Sequence, residues 1–245
     1  MAKAYKEYIT LENKSIPVNV YVEWRNNARI SVGKQGINLR IPKILGPVQV
    51  AKYLDWCRAW AQKQLEKDPK LKARLFRKTY QDGDHLVVGD SSFILSINYE
   101  DRKTHSAKLD SGKIILKINK HDLPDHIQSS IRRLLSRVIS SEFLPAIERM
   151  VDDINDRHFH EDIKSIRLKY NQSNWGSCSA KKNINLSSRL LFAPQEVIRY
   201  VIIHELAHLK ELNHSRKFWK IVSEVMPDYK KHEKWLKKYG HFCDF

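Results

Sequence analysis

Apolar and polar residues alternate with a period of two in several short segments of the first half of the chain. This period is typical of β-strands that are covered on one face. It predicts strands at Val18–Val22, Ala28–Ile41, His85–Val88, Phe93–Asn98 and Lys113–Ile118. Gly33 and Gly36 interrupt the second segment, so we expect a hairpin turn there. A helix is predicted to begin near Pro47 and to run toward Lys67, because proline suits the first helical turn.

The second half of the chain changes to the helical period. A long helical segment opens at Asp122-Leu123-Pro124. Its apolar residues recur every three or four positions, at Ile127, Ile131, Leu134, Val138, Leu144, Ile147, Val151 and Ile154. The fold class predicted from both halves is α+β, with a β-rich N-terminal region over residues 1–120 and a mainly helical domain over residues 121–245.

A strand pair is predicted directly before the most informative helix. Residues 164–170 alternate as a half-buried strand does, and an extended stretch from Asn174 to Ser179 comes next. A turn near residues 181–183 then leads into a second extended run, Ile184–Leu191. We expect a β-hairpin with an edge strand, and such an edge can bind an extended peptide through main-chain hydrogen bonds.

The helix after Pro194 carries the sequence His204-Glu205-Leu206-Ala207-His208. Histidines four residues apart on a helix lie about 40° apart around the axis and ~6 Å apart along it, so both imidazoles can bind one metal ion. This motif predicts zinc. Glu205 projects about 100° away from His204, which suits a general base for the metal-bound water better than a ligand. A zinc-dependent hydrolase is the first interpretation to test.

A third protein ligand is expected, because catalytic zinc usually has three. His214 can serve only if the chain turns after His208, since a continuous helix would place it ~15 Å along the axis from His204. Asn213 tolerates the left-handed conformation that ends helices, and Ser215 can cap a new one. We favour His214 because a local reversal needs less assumed tertiary structure. Glu224, on the next helix, is the alternative ligand.

These motifs together resemble a known family. Residues 160–240 are similar to the YgjP-like metallopeptidase domain and more distantly to SprT-like proteases. The similarity rests on Trp175-Gly-Ser-Cys-Ser, Ile184-Asn-Leu, Pro194, Tyr200, the His204–His208 motif, Asn213-His214-Ser215, Phe218-Trp219, Pro227 and Tyr229. The resemblance implies a gluzincin-like, zincin-type fold in which His204, His208 and His214 bind zinc and Glu205 is the base. Glu211 disfavours the metzincin superfamily, whose ligand pattern needs glycine there.

Composition adds a strong positive charge. Lys and Arg number 44 against 28 Asp and Glu, a net charge of +16 that attracts polyanions. The basic residues are scattered, including runs at 70–78, 132–137, 164–169 and 230–238, which favours a generally basic protein over a dedicated nucleic-acid surface. No apolar stretch predicts a membrane span, and three widely spaced cysteines do not predict a disulfide framework. We therefore expect a cytoplasmic protein without a membrane partner.

Three functional classes are compatible with the sequence. The first is a metallopeptidase acting on a protein or peptide substrate. The second is a metal-dependent nucleotide phosphohydrolase of the nucleoside triphosphate pyrophosphatase type, whose substrate the basic surface would attract. The third is a DNA-associated protein with structural zinc, which Glu205 disfavours because a structural site needs no base. The sequence does not determine the oligomeric state.

A faint internal similarity links Ile37-Asn-Leu39, Pro47, Val50 and Tyr53 to Ile184-Asn-Leu186, Pro194, Val197 and Tyr200. A strand followed by a helix that starts with proline recurs for ordinary reasons. We favour that explanation over duplication, because the first segment has no counterpart of the zinc motif.

Overall fold

The computed structural model describes residues 3–12, 14–33, 36–43, 45–68, 71–72, 75–76 and 78–245. The chain divides into two compact units, Met1–Arg77 and Lys78–Phe245. Residues 34 and 35, in the predicted hairpin turn, lie outside the described residues, as do four positions of the basic run 70–78.

The first unit consists of a four-stranded sheet and one long helix. Its elements are β1 (Lys3–Leu11), β2 (Lys14–Glu23), β3 (Arg29–Gly33), β4 (Gly36–Pro42) and α1 (Pro47–Lys67). The strand order is β1-β2-β4-β3, with β2 and β4 parallel and the two outer pairs antiparallel. Alternate residues such as Val18, Val20 and Leu39 are fully buried and form one core with Cys57 and Ala61 of α1.

The second unit begins with another four-stranded sheet. Its strands are β5 (His85–Val88), β6 (Ser91–Glu100), β7 (Ser106–Asp110) and β8 (Lys113–Asn119), in the order β5-β6-β8-β7. The helix α2 (Pro124–Ile154) comes next and continues into a π-helical turn, Asn155–Phe159. The turn ends at His160, whose φ of 55° is left-handed.

A three-stranded sheet and three further helices complete the second unit. The strands are β9 (Ser165–Lys169), β10 (Gly176–Cys178) and β11 (Asn183–Ser187), in the order β10-β11-β9. The helices are α3 (Gln195–Lys210), α4 (Arg216–Val225) and α5 (Tyr229–Tyr239), and a 3₁₀ turn is formed by Gly240–Phe242. β10 and β11 form an antiparallel hairpin, and β10 is a terminal strand of its sheet.

The second half of the predicted run Ile184–Leu191 is not a strand. Ser188–Phe192 forms a 3₁₀ helix. Ser187, Ser188, Leu190 and Leu191 are all buried. A strand alternates its side chains between two faces, so burying neighbouring residues in the short link to α3 favours a helical turn.

The α+β class is confirmed, with both four-stranded sheets in the first half and most of the helices later. The boundary between the compact units lies at residues 77/78, earlier than the boundary predicted at residue 120. The reason is packing: the core between β5–β8 and α2 is continuous with the core around α3, and it includes Leu116, Ile131 and Ile202. In the described part of the chain, no helix combines the length and apolar character needed to cross a membrane.

Candidate metal centre

Helix α3 places its histidine motif at the edge of the second core. Pro194 precedes the first helical residue, and Glu196 lies in the first turn, where a carboxylate interacts favourably with the helix dipole. Val197, Val201 and Ile202 are buried and fix the rotation of the helix. As a result Glu205 points into the protein, whereas His204 and His208 are half-buried.

The end of α3 orients the second histidine. The helix ends at Lys210, and the backbone of Glu211 is extended. The Glu211 carbonyl oxygen lies 3.0 Å from Nδ1 of His208. Because a carbonyl only accepts, Nδ1 is the donor and carries the proton, which leaves the lone pair on Nε2. This contact is of the kind that orients histidine ligands toward a metal.

The chain reverses between His208 and His214, as the sequence predicted, but Asn213 makes the turn through its side chain and not through its backbone conformation. Asn213 does not adopt the left-handed conformation that we expected. Its side-chain Oδ1 instead accepts a hydrogen bond from the Ser215 backbone N–H at 3.1 Å. The predicted cap is confirmed, because Ser215 Oγ accepts from the Phe218 N–H at 3.3 Å and α4 starts at Arg216.

The three histidine side chains converge. One nitrogen from each of His204, His208 and His214 lies within 4.8 Å of the other two. The Nε2 atoms of His204 and His214 are 2.9 Å apart. Glu224 is not part of this group; its exposed carboxylate faces Lys220 at 3.8 Å.

Aromatic residues of α4 hold these rings in place. Phe218 is fully buried, and its ring centroid lies 4.9, 4.5 and 4.8 Å from those of His204, His208 and His214. Trp219 stacks against His214 at 5.8 Å and against Tyr229 at 5.2 Å. These contacts restrict the orientation of the imidazoles, which is what a preorganised metal site requires.

Burial favours the neutral forms of His204 and His208. Burial lowers the pKa of His204 to about 3, and the neighbouring His208 and His214 contribute to this lowering. The pKa of His208 is also lowered, first by burial. A neutral imidazole has the lone pair that a metal ion binds, and three imidazole donors fit zinc better than they fit magnesium or calcium, which prefer oxygen. The residues present therefore fit the ion that the motif predicted.

Glu205 is enclosed by the hairpin above α3. Only 4% of its surface is exposed, and Oε2 makes no hydrogen bond with any described residue. Burial raises its pKa to about 8, although a hydrogen bond from the Cys178 backbone acts in the opposite direction. A buried carboxyl group with an unpartnered oxygen has a position at which it can exchange a proton.

Gly176 of β10 lies against the Glu205 side chain, a contact that the sequence did not predict. A Cβ atom at this position would lie 2.7 Å from Cγ and Cδ of Glu205. Only glycine allows the edge strand to approach the carboxylate so closely. A glycine within a short strand was the available signal, but the contact with a residue so distant in sequence could not be predicted from it.

A family model described as YgjP-like, metallopeptidase domain, matches residues 26–239. The chain belongs to this family. Membership confirms the resemblance found in the sequence and extends it over most of the chain. It supports a metal-dependent hydrolase.

Similarity to individual proteins is more limited. The UTP pyrophosphatase of Escherichia coli (strain K12) is 28% identical over 94 residues, which cover 37% of this chain and 56% of that protein. Among solved structures, the metallopeptidase zymogens Pyrococcus abyssi abylysin and Methanocaldococcus jannaschii jannalysin are 27% and 25% identical. Their TM-scores are 0.35 and 0.34, and each match covers 38% of this chain and 94% of the other.

Proposed function

We propose that the protein is a zinc-dependent hydrolase, with peptides as the first substrate class. His204, His208 and His214 would bind the ion, and Glu205 would be the general base. The observation that carries the proposal is the convergence of three imidazoles beside a buried carboxylate with a free oxygen. Zinc, when bound, would supply a Lewis acid that polarises the bond to be cleaved and acidifies water.

Glu205 would move the proton in this reaction. Its Oε2 is available to accept a proton from the attacking water, whose oxygen forms the new bond to the substrate carbonyl carbon. The C–N bond then breaks, and Glu205 returns the proton to the leaving amine. The apolar ring of Phe218 behind the histidines limits the access of bulk water and strengthens electrostatic interactions in the site.

The terminal strand β10 supports a peptide as the substrate. It pairs with β11 on one side only and contacts the Glu205 side chain through Gly176. An extended peptide adding to the other side of β10 would form main-chain hydrogen bonds close to the base. This arrangement explains how a substrate of varied sequence could be aligned with the catalytic group.

A nucleotide is the second candidate substrate, because the matching E. coli protein is a UTP pyrophosphatase. The same base and metal ligands could direct water at phosphorus, breaking a P–O bond of the phosphoanhydride. The net charge of +16 would attract the triphosphate. A purely structural zinc site is disfavoured by the position of Glu205, which no structural role requires.

The test compares Glu205→Gln with wild type against unfolded proteins, peptides and nucleoside triphosphates. We expect hydrolysis to fall by about 10²–10⁴-fold while zinc content is retained, because the amide cannot accept the proton. Glu224→Gln is the matched control, since it makes the same change at an exposed carboxylate on α4, and it should retain full activity. Full activity of Glu205→Gln on the substrate that wild type cleaves would overturn the proposal.

A further inference from the structure

The same sheet and helix arrangement occurs twice in the chain, at a constant spacing. Adding 77 to the bounds of β2, β3 and β4 gives the bounds of β6, β7 and β8. Leu11, the last residue of β1, corresponds in the same way to Val88, the last residue of β5. The first residues of the two helices, Pro47 and Pro124, also differ by 77. We call residues 3–67 the first copy and residues 80–144 the second copy.

Strand pairing and buried core positions are also equivalent between the two copies when 77 is added to the residue number. Ile9 pairs with Ile16 in the first copy, and Leu86 pairs with Phe93 in the second. Both sheets have one central parallel pair between two antiparallel pairs. The equivalent core residues are buried in both copies: Ile9/Leu86, Leu11/Val88, Ile16/Phe93, Val18/Leu95, Val20/Ile97, Ile37/Ile114, Leu39/Leu116 and Ile41/Ile118.

A surface ion-pair cluster is also repeated. In the first copy Glu23 contacts Arg25 at 3.6 Å and pairs with Arg40. In the second copy Glu100 contacts Arg102 at 3.5 Å and Lys117 at 3.4 Å. Surface pairs contribute little to stability, so their recurrence at equivalent positions is not required for folding. This recurrence indicates that residues 3–67 and 80–144 are copies of one module. The repeat is different from the similarity between residues 37–53 and 184–200 noted from the sequence.

The two copies differ strongly in charge. The first copy has 12 Lys and Arg against 5 Asp and Glu, a net charge of +7, whereas the second has 9 of each and is neutral. The second copy shows that this fold does not require the positive charge. The excess in the first copy therefore calls for an explanation outside folding.

Aromatic and basic residues lie together on the outer face of the first sheet, which is the face opposite the core that the sheet forms with α1. Tyr21, Arg40 and Arg29 are neighbours across β2, β4 and β3, with the Arg40 guanidinium 4.8 Å from the Tyr21 ring. Arg29 is exposed and forms no ion pair with a described residue, and Tyr8 on the same face is 55% exposed. The second copy has Asn98, Ser106 and His85 where the first has Tyr21, Arg29 and Tyr8.

We propose that this outer face of β1–β4 binds single-stranded nucleic acid. Lysine and arginine side chains contact phosphates, and exposed aromatic rings on a flat sheet stack on bases regardless of sequence. A lipid surface would instead favour an apolar face, whereas Asn19 and Asn38 lie at the centre of this one.

The test measures fluorescence anisotropy of a labelled single-stranded oligothymidylate with the full chain. The double variant Tyr21→Asn/Arg29→Ser introduces the residues that the second copy already carries, so it should fold. We expect affinity at least about tenfold weaker, with a salt slope reduced by about 1, because one stacking and one phosphate contact are lost. Thermal unfolding of the variant checks that the first unit remains folded.

Two matched controls separate this surface from general charge and from the metal centre. Lys108→Ser removes one positive charge from the outer face of the second copy, at the position equivalent to Ser31, and should change affinity by less than about twofold. Glu205→Gln should bind the oligonucleotide as wild type does. No binding at low salt, equal weakening by Lys108→Ser, or tighter binding to phosphatidylserine vesicles would each overturn the proposal.

Discussion

The two copies of the sheet and helix module differ in the segments that come after their helices. In the first copy α1 has 21 residues, and the core that it forms with the sheet contains residues of the first unit only. In the second copy α2 has 31 residues and leads into β9–β11 and α3, so one core extends from the sheet to the histidine helix. The histidine cluster therefore lies in segments that follow the second copy, whereas the excess positive charge lies on the first copy itself.

The largest expected effect comes from truncating the same core position in each copy. Leu39 and Leu116 are equivalent and fully buried. Each Leu→Ala change should cost about 2–5 kcal/mol of unfolding free energy through the cavity it leaves. Leu116→Ala should destabilise the unit that holds the histidines, whereas Leu39→Ala should leave zinc retention on heating unchanged. Hydrogen exchange of each unit, measured with zinc content, tests this. Parallel loss of zinc in both variants would contradict the separation of the two cores.

A smaller effect is expected at the contact between β10 and the Glu205 carboxylate, the proposed base. Gly176→Ala should displace the Glu205 side chain, because the new Cβ would lie 2.7 Å from Cγ and Cδ. A displacement of about 1 Å costs about 10²-fold in rate, so we expect that loss of hydrolysis with zinc still bound. Gly46→Ala before α1 is the control, since its nearest neighbour would be 3.9 Å away. Unchanged activity of Gly176→Ala would show that this approach does not position Glu205.

The smallest effect concerns the reversal that brings His214 to the other histidines. Ser215→Ala removes the cap of α4 and should weaken zinc binding by about 0.5–2 kcal/mol, since an uncapped helix start no longer fixes the preceding turn. Ser223→Ala removes a hydroxyl that only bonds within the same helix, and it should bind zinc as wild type does. Isothermal titration with zinc compares the two. Equal affinities would mean that the cap does not position His214.

Much of the fold could be predicted from the alternation of residues, but two strands at sheet edges were missed. The interior strands β2, β4, β6 and β8 were predicted because the residues on one face of each are strongly apolar. Of the terminal strands of these two sheets, β3 and β5 were predicted as well, but β1 and β7 were not. In β7 only Ala107 and Leu109 pack against the core. An edge strand with so few apolar residues leaves a weak period-two signal.

The candidate site was predictable only as far as its parts are close in sequence. His204, His208 and Ser215 could be placed because helix geometry and capping are local. Gly176 could not, because its role depends on how β10 packs against α3. The duplication was not detected for a related reason: five of the eight equivalent core pairs exchange one apolar residue for another, so the register is retained more fully than the residue identities.

Zinc content per chain, measured by mass spectrometry on the purified wild type and on two single variants, tests the metal centre most directly. Wild type and Glu224→Ala are each expected to contain one zinc ion, because the Glu224 carboxylate is exposed and lies outside the histidine cluster. His214→Ala is expected to lose most of the ion and the hydrolytic activity together. Retention of zinc by His214→Ala with its loss from Glu224→Ala would contradict the three-histidine site.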